Sequence, residues 1–118
     1  MIPLTKEIIF GYDDLPKTKL EVPEWGGFVF LRSLTAGESM RLSELHELHN
    51  GNIPMKDMLA VLSHCVVDEK NNPIFPKEEE AVDGLLTKNM RVIQYLLKEI
   101  NKLNSITIDK IEDEEKKS

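Results

Sequence analysis

Val22-Pro23-Glu24-Trp25-Gly26-Gly27, then the apolar run Phe28–Leu31, then Leu34-Thr35-Ala36-Gly37-Glu38, is the stretch that decides how this chain folds. It reads as a strand, a tight turn around the only tryptophan, a return strand and a capped helix start. Two adjacent glycines allow the positive φ that a hairpin reversal commonly needs. Thr35 and Glu38 have the spacing of a capping box, in which each side chain satisfies an orphan backbone N–H at the start of a helix. The segment thus specifies a strand–turn–strand–helix unit and carries no reactive constellation.

Working outward, Thr18, Leu20 and Val22 alternate with Lys17, Lys19 and Glu21, the period of two of a half-buried strand. Pro23 has no ladder donor and so closes that strand or lies on its open edge. The return strand, Phe28–Leu34, is apolar at odd and even positions, so both faces are expected to be partly covered. Upstream, Thr5 is expected to cap a short helix over Lys6–Phe10 that Gly11 stops in the left-handed region. A lone hairpin is marginal in water, so this one must lie against helices.

From Ala36 the period becomes helical: Met40, Leu42, Leu45 and Leu48 form an apolar side, with Arg41, Glu44 and Glu47 towards solvent. Asn50-Gly51-Asn52 ends it. A second helix opens at Pro54, with the stripe Met55, Met58, Leu59, Leu62, Cys65 and Val66, and with Lys56, Asp57 and Ser63 on the far side. Asp68–Pro73 is a turn, Ile74-Phe75-Pro76 drops an apolar pair onto the core, and Lys77–Asp83 is a short acidic helix broken at Gly84. Thr87 caps the last helix, whose inward face is Met90, Ile93, Leu97 and Ile100, flanked by Leu96 and Leu103. The expected fold is α+β, an N-terminal β-hairpin packed on a small bundle of about four α-helices. A single domain spans residues 1–105, and residues 106–118 are a charged, mobile tail.

A chain of 118 residues is expected to form one domain with an ordinary core. Its net charge of −6 argues against a nucleic-acid partner held through phosphates. The single cysteine, Cys65, forms no internal disulfide. No apolar run approaches the ~20 residues of a membrane span, and the first residues lack the basic start and apolar block of a secretion signal. The expectation is a cytoplasmic protein without membrane contact.

Chemistry-bearing residues are few. His46 and His49 share a helical face and, with Cys65, are the conceivable zinc ligands, but a fourth ligand and paired cysteine spacing are missing. His46-Glu47-Leu48-His49 also separates its histidines by three, whereas the metalloprotease helix separates them by four. Cys65 lies on an apolar stripe as a small inert hydrophobe and has no partner base. Gly26-Gly27 lacks the surrounding residues of a phosphate loop. Glu78-Glu79-Glu80 lacks EF-hand spacing and reads as a solvated helix start favoured by the dipole. Met40, Met55, Met58 and Met90 read as core packing first and as contacts for an apolar client second. Trp25 either pins the hairpin to the helices or anchors a partner. With Phe28 and Phe30 it makes up the candidate partner-binding set; no cofactor, metal or catalytic residue is expected.

Taken in order, Val22–Gly27 with Val29-Phe30-Leu31-Arg32-Ser33-Leu34-Thr35-Ala36-Gly37-Glu38 resembles the tail assembly chaperones of long-tailed bacteriophages and prophages. Those proteins show a Val-Pro-Glu-Trp-Gly hairpin turn leading to a Leu-Thr/Ser-x-x-Glu helix start. Cys65-Val66-Val67-Asp68-Glu69-Lys70-Asn71-Asn72-Pro73-Ile74-Phe75 is similar to their apolar pair, Val-Asp turn and apolar return. Leu85-Leu86 and the helix from Met90 to Leu103-Asn104 resemble their closing segment, and the likeness covers about residues 4–105.

The resemblance implies a small, non-enzymatic protein of the bacterial host cytoplasm that binds the tape-measure protein before tail assembly. It implies that this client is kept soluble, that tail-tube protein is recruited around it, and that the chaperone is absent from the finished virion. It supplies no catalytic residues and no defined client-contact motif. Some members also yield a longer frameshifted product, with which Lys116-Lys117 is compatible. The rival readings are a structural head–tail or tail-tube-associated virion component, and a small metal-dependent hydrolase that would need His46, His49 and Cys65 to converge.

Overall fold

The hairpin forms where the alternation places it: β1 (Lys17–Val22) pairs antiparallel with β2 (Gly27–Arg32), in register from Lys17↔Arg32 to Val22↔Gly27. The computed structural model describes the backbone of residues 1–117 and the side chains of residues 1–104. Between the strands, Pro23–Trp25 form one 3-10 turn and Gly26 is left-handed at φ 75°. Only the first of the two glycines needs that freedom; Gly27 begins β2.

Around the hairpin lie α1 (Lys6–Gly11), α2 (Ala36–Leu48), α3 (Met55–Cys65), β3 (Val66–Val67), α4 (Glu78–Leu85) and α5 (Met90–Lys117). The architecture is the α+β arrangement expected, with one addition. β3 extends the sheet to the order β1-β2-β3, pairing Phe30↔Val67 and Leu31↔Val66. A bridge from Val67 to Pro73 closes its far side, so β1 is the open edge. The charged, mobile tail expected over residues 106–118 lies outside the residues whose side chains are described.

One core joins the sheet to three helices: Leu20, Val22 and Leu31 meet Leu59, Leu62 and Cys65 of α3, Leu85 of α4, and Val92, Ile93, Leu96 and Ile100 of α5. Burying such side chains contributes roughly 1.5–3 kcal/mol each before chain entropy is counted. The period of two in β1 is fulfilled, with Leu20 and Val22 inward and Lys17, Lys19 and Glu21 exposed.

Several sequence expectations are corrected. α2 buries no residue: Met40 and Leu48 are exposed, and Leu42 and Leu45 are half-buried. Its main neighbour is α3, and Met40 and Leu48 on its apolar side are left uncovered. Ser63 is not on a solvent side but buried, its hydroxyl donating to the Ala60 carbonyl at 2.6 Å, because α3 is enclosed by α2, α4 and β3. The inward face of α5 is rotated to Val92, Ile93, Leu96 and Ile100, leaving Met90 exposed. Its cap is Asn89, whose Oδ1 accepts the Arg91 N–H at 2.9 Å, while the Thr87 hydroxyl donates to the Gly84 carbonyl.

α4 runs straight through Gly84. Thr5 caps α1 as expected, accepting the Ile8 N–H at 3.3 Å, but Gly11 is part of the helix and is not left-handed. Ile8, Ile9 and Phe10 of that helix are exposed. Ile74 is likewise exposed, and only Phe75 of the returning pair packs on the core.

The capping box is present in full and is joined by an arginine. Thr35 Oγ1 accepts the Glu38 N–H at 3.1 Å, and Glu38 Oε1 accepts the Thr35 N–H at 3.0 Å. Arg32, the last residue of β2, donates to both Glu38 oxygens at 2.8 Å. Burial alone would raise the Glu38 carboxyl pKa, but the hydrogen bonds from Arg32 and the Thr35 N–H, with the Arg32 charge, hold it below its ordinary value of 4.5.

Glu38→Ala is expected to cost about 2–4 kcal/mol, since it removes a cap partner and leaves Arg32 without its counter-ion; urea unfolding measures this. A carboxylate depressed in the folded state stabilises fully above its unfolded pKa, and that contribution is lost as pH falls through the folded value. Stability is therefore expected to drop below about pH 4.5, and to drop less steeply in Glu38→Gln.

Candidate functional site

Helical geometry places Lys77, Glu80, Ala81, Gly84, Leu85 and Lys88 along one face of α4 and its two flanks, at spacings of three to four residues. That face forms one wall of a cleft of about 680 Å³. The opposite wall and floor come from Ile74, Phe75 and Pro76, from Val29 and Val66 of the sheet, from Leu96 of α5, and from Trp25 at the hairpin turn. The lining is mainly apolar, and the charged groups sit on α4 and its flanks. A Cβ added at Gly84 would meet nothing within 4 Å, so the wall is lowest at the middle of α4.

α4 is held in place from behind. Glu78 accepts hydrogen bonds from Arg41 of α2 at 2.7 Å and pairs with His64 Nε2 of α3 at 2.9 Å. Those two partners, Arg41 first, draw the Glu78 carboxyl below its usual range. Of the three consecutive glutamates, Glu78 is therefore half-buried and structural, and Glu80 faces the groove.

The candidate partner-binding residues do not share one surface. Trp25 is 39% exposed and lines the groove together with Val29. Side chains alternate along β2, so Phe28 and Phe30 project from the face opposite Val29. There they meet edge to face, with ring centroids 5.4 Å apart. Lys19 Nζ lies 4.1 Å from the Phe28 centroid and Lys17 Nζ 5.1 Å from that of Phe30. Trp25 thus stands at the hairpin turn, partly exposed, and lines the groove. Among the four methionines, Met55 and Met58 are half-buried, while Met40 and Met90 are exposed, against the expectation of core packing. The groove itself escaped sequence reasoning; its one linear signal is the stripe from Lys77 to Lys88 with glycine at its centre.

The conceivable zinc ligands are separated by environment. Cys65 is fully buried, with Sγ 3.8 Å from Arg32 Nη1 and 4.0 Å from Glu38 Oε1, whereas His46 is exposed near Gly51. Among the described residues, no group of three or more His, Cys, Asp or Glu side chains is placed to hold a metal ion. Among them, too, no helix is long and apolar enough to cross a membrane.

A three-stranded sheet packed on helices, with an apolar groove along one of them, defines an α+β domain. The solved structure of the bacteriophage HK97 tail assembly chaperone has the same fold: TM-score 0.57 and 24% identity, covering 83% of this chain and 90% of that one. No family model matches the chain, and no curated protein does.

Burial pushes the Cys65 thiol up to about 12, aided by the Glu38 charge and opposed by Arg32. The reactive species is the thiolate. Cys65 is therefore expected to resist iodoacetamide at pH 8 in the folded protein and to alkylate rapidly in denaturing urea. Equal labelling in both states would contradict this environment.

Proposed function

We infer that this chain is a tail assembly chaperone of a long-tailed bacteriophage or prophage. In this reading it binds the tape-measure protein in the host cytoplasm, keeps it soluble, helps recruit tail-tube protein, and is not retained in the virion. The observation that carries the reading is the fold shared with the HK97 tail assembly chaperone over most of both chains. The groove supplies a physical mode: an amphipathic client helix lays its apolar side against Trp25, Phe75 and Leu85, in the helix-in-groove manner. Many weak seats of this kind along a long client add up through effective concentration. Phe28 and Phe30, on the other face of the sheet, are proposed as contacts for a second partner. The role requires no reacting group, and the protein acts without catalysis.

Co-expression with the tape-measure protein encoded nearby tests the role. The client is expected in the soluble fraction only when this chain is present, and mass spectrometry of purified virions is expected to lack it. A client equally soluble on its own, or stoichiometric retention in the particle, would overturn the reading.

A further inference from the structure

The groove along α4 is marked by charge as well as by apolar surface. Lys77 stands at the N-terminal flank of α4 and Lys88 just past its C-terminus; both are exposed and both line the groove. Ten residues lie between them, the eight of α4 and two beyond it, so the lysines stand about 16 Å apart along the helix direction, roughly three turns. Among the described residues, Glu80 is the one acidic side chain in the lining, one turn in from Lys77. Its neighbour Glu78 is already engaged behind α4 by Arg41 and His64. In a protein of net charge −6, the groove is thus a local exception, with a lysine at each end and a mainly apolar lining interrupted by Glu80. Gly84 at its midpoint presents no side chain and lets another backbone approach closely.

We propose that this groove selects an amphipathic helix carrying two acidic residues about three turns apart, one at each end of its apolar stripe, which pair with Lys77 and Lys88. This rests on the groove being the client seat. The cavity of about 680 Å³ is large enough for several aliphatic or aromatic side chains of such a stripe. A third acidic residue opposite Glu80 is disfavoured by like charge, so the preferred helix is acidic at its ends and neutral or basic between.

The experiment uses the full chain and two synthetic helical peptides of about 18 residues, five turns. They share one apolar stripe, lack tryptophan, and carry Glu or Lys at the two flanking positions. Trp25 is the only tryptophan, so its emission reports occupancy of the groove directly. The acid-flanked peptide is expected to bind about tenfold more tightly than the lysine-flanked one at low salt, the combined effect of two exposed ion pairs. The difference should shrink in roughly 0.5 M salt. The double variant Lys77→Glu/Lys88→Glu is expected to reverse the order. Gly84→Leu, placed where nothing lies within 4 Å, is expected to fold, as checked by circular dichroism, and to weaken both peptides at least tenfold. Equal affinity for the two peptides, or an order unmoved by the double variant, overturns the charge selection and leaves the groove standing. No response of Trp25 to either peptide overturns the groove as client seat, and with it this inference.

Discussion

The Arg32–Glu38 pair joins the end of β2 to the first turn of α2, and its two side chains are only 9% and 16% exposed. Two charges that far out of water are tolerable only when their remaining polar atoms are also bonded. Here they are: Arg32 Nη1 reaches the Ser33 carbonyl at 2.9 Å, and Glu38 receives the Thr35 N–H. The pair also lies against Cys65, the last residue of α3, so β2, α2 and α3 meet at one junction. α2 depends on it more than a core helix would, because it buries no side chain of its own. Its second tie, Arg41 to Glu78, passes the constraint on to α4. The wall of the groove therefore rests on α3 by packing and is linked to α2 by this half-exposed pair.

Apolar packing supplies the mass of the fold, and these ionic ties supply direction. Leu31 and Leu96, both fully buried, show the first effect. The second appears at Glu78, which holds an arginine and a histidine from two different helices at once. A groove whose floor is core and whose wall packs on α3 is pre-formed by the fold. Pre-formed seats lose less free energy in ordering on association.

What was legible in the sequence was what is local. The capping box needs only Thr35 and Glu38, three residues apart, and the β1 alternation needs only six consecutive residues; both stand as read. β3 was missed because Val66–Val67 is too short to show any period, and Val66 also continued the apolar stripe of α3. The faces of α2 and α5 were misjudged because periodicity shows that a helix has an apolar side, but not whether a neighbour covers all of it. Met40 and Met90 are the result. Gly84 reads as a break because glycine costs a helix about 1 kcal/mol relative to alanine, yet α4 is clamped well enough to absorb that. The groove was illegible as a whole, since Trp25 and Val29 of the hairpin, Phe75, Leu85 and Leu96 come from four separated segments that only the fold brings together. Trp25 alone could be singled out beforehand, as the one large aromatic in a turn.

The end of α2 has a chemical consequence of its own. Asn50 and Gly51 both adopt positive φ, at 53° and 90°. An asparagine followed by glycine is prone to spontaneous ring closure, in which the glycine nitrogen attacks the side-chain amide and leaves an aspartate or isoaspartate. In the native protein that nitrogen is occupied, its hydrogen donated to the His46 carbonyl at 2.8 Å. The turn that stops the helix thereby also slows the ageing of its own backbone, and fraying of the last turn of α2 would start that clock.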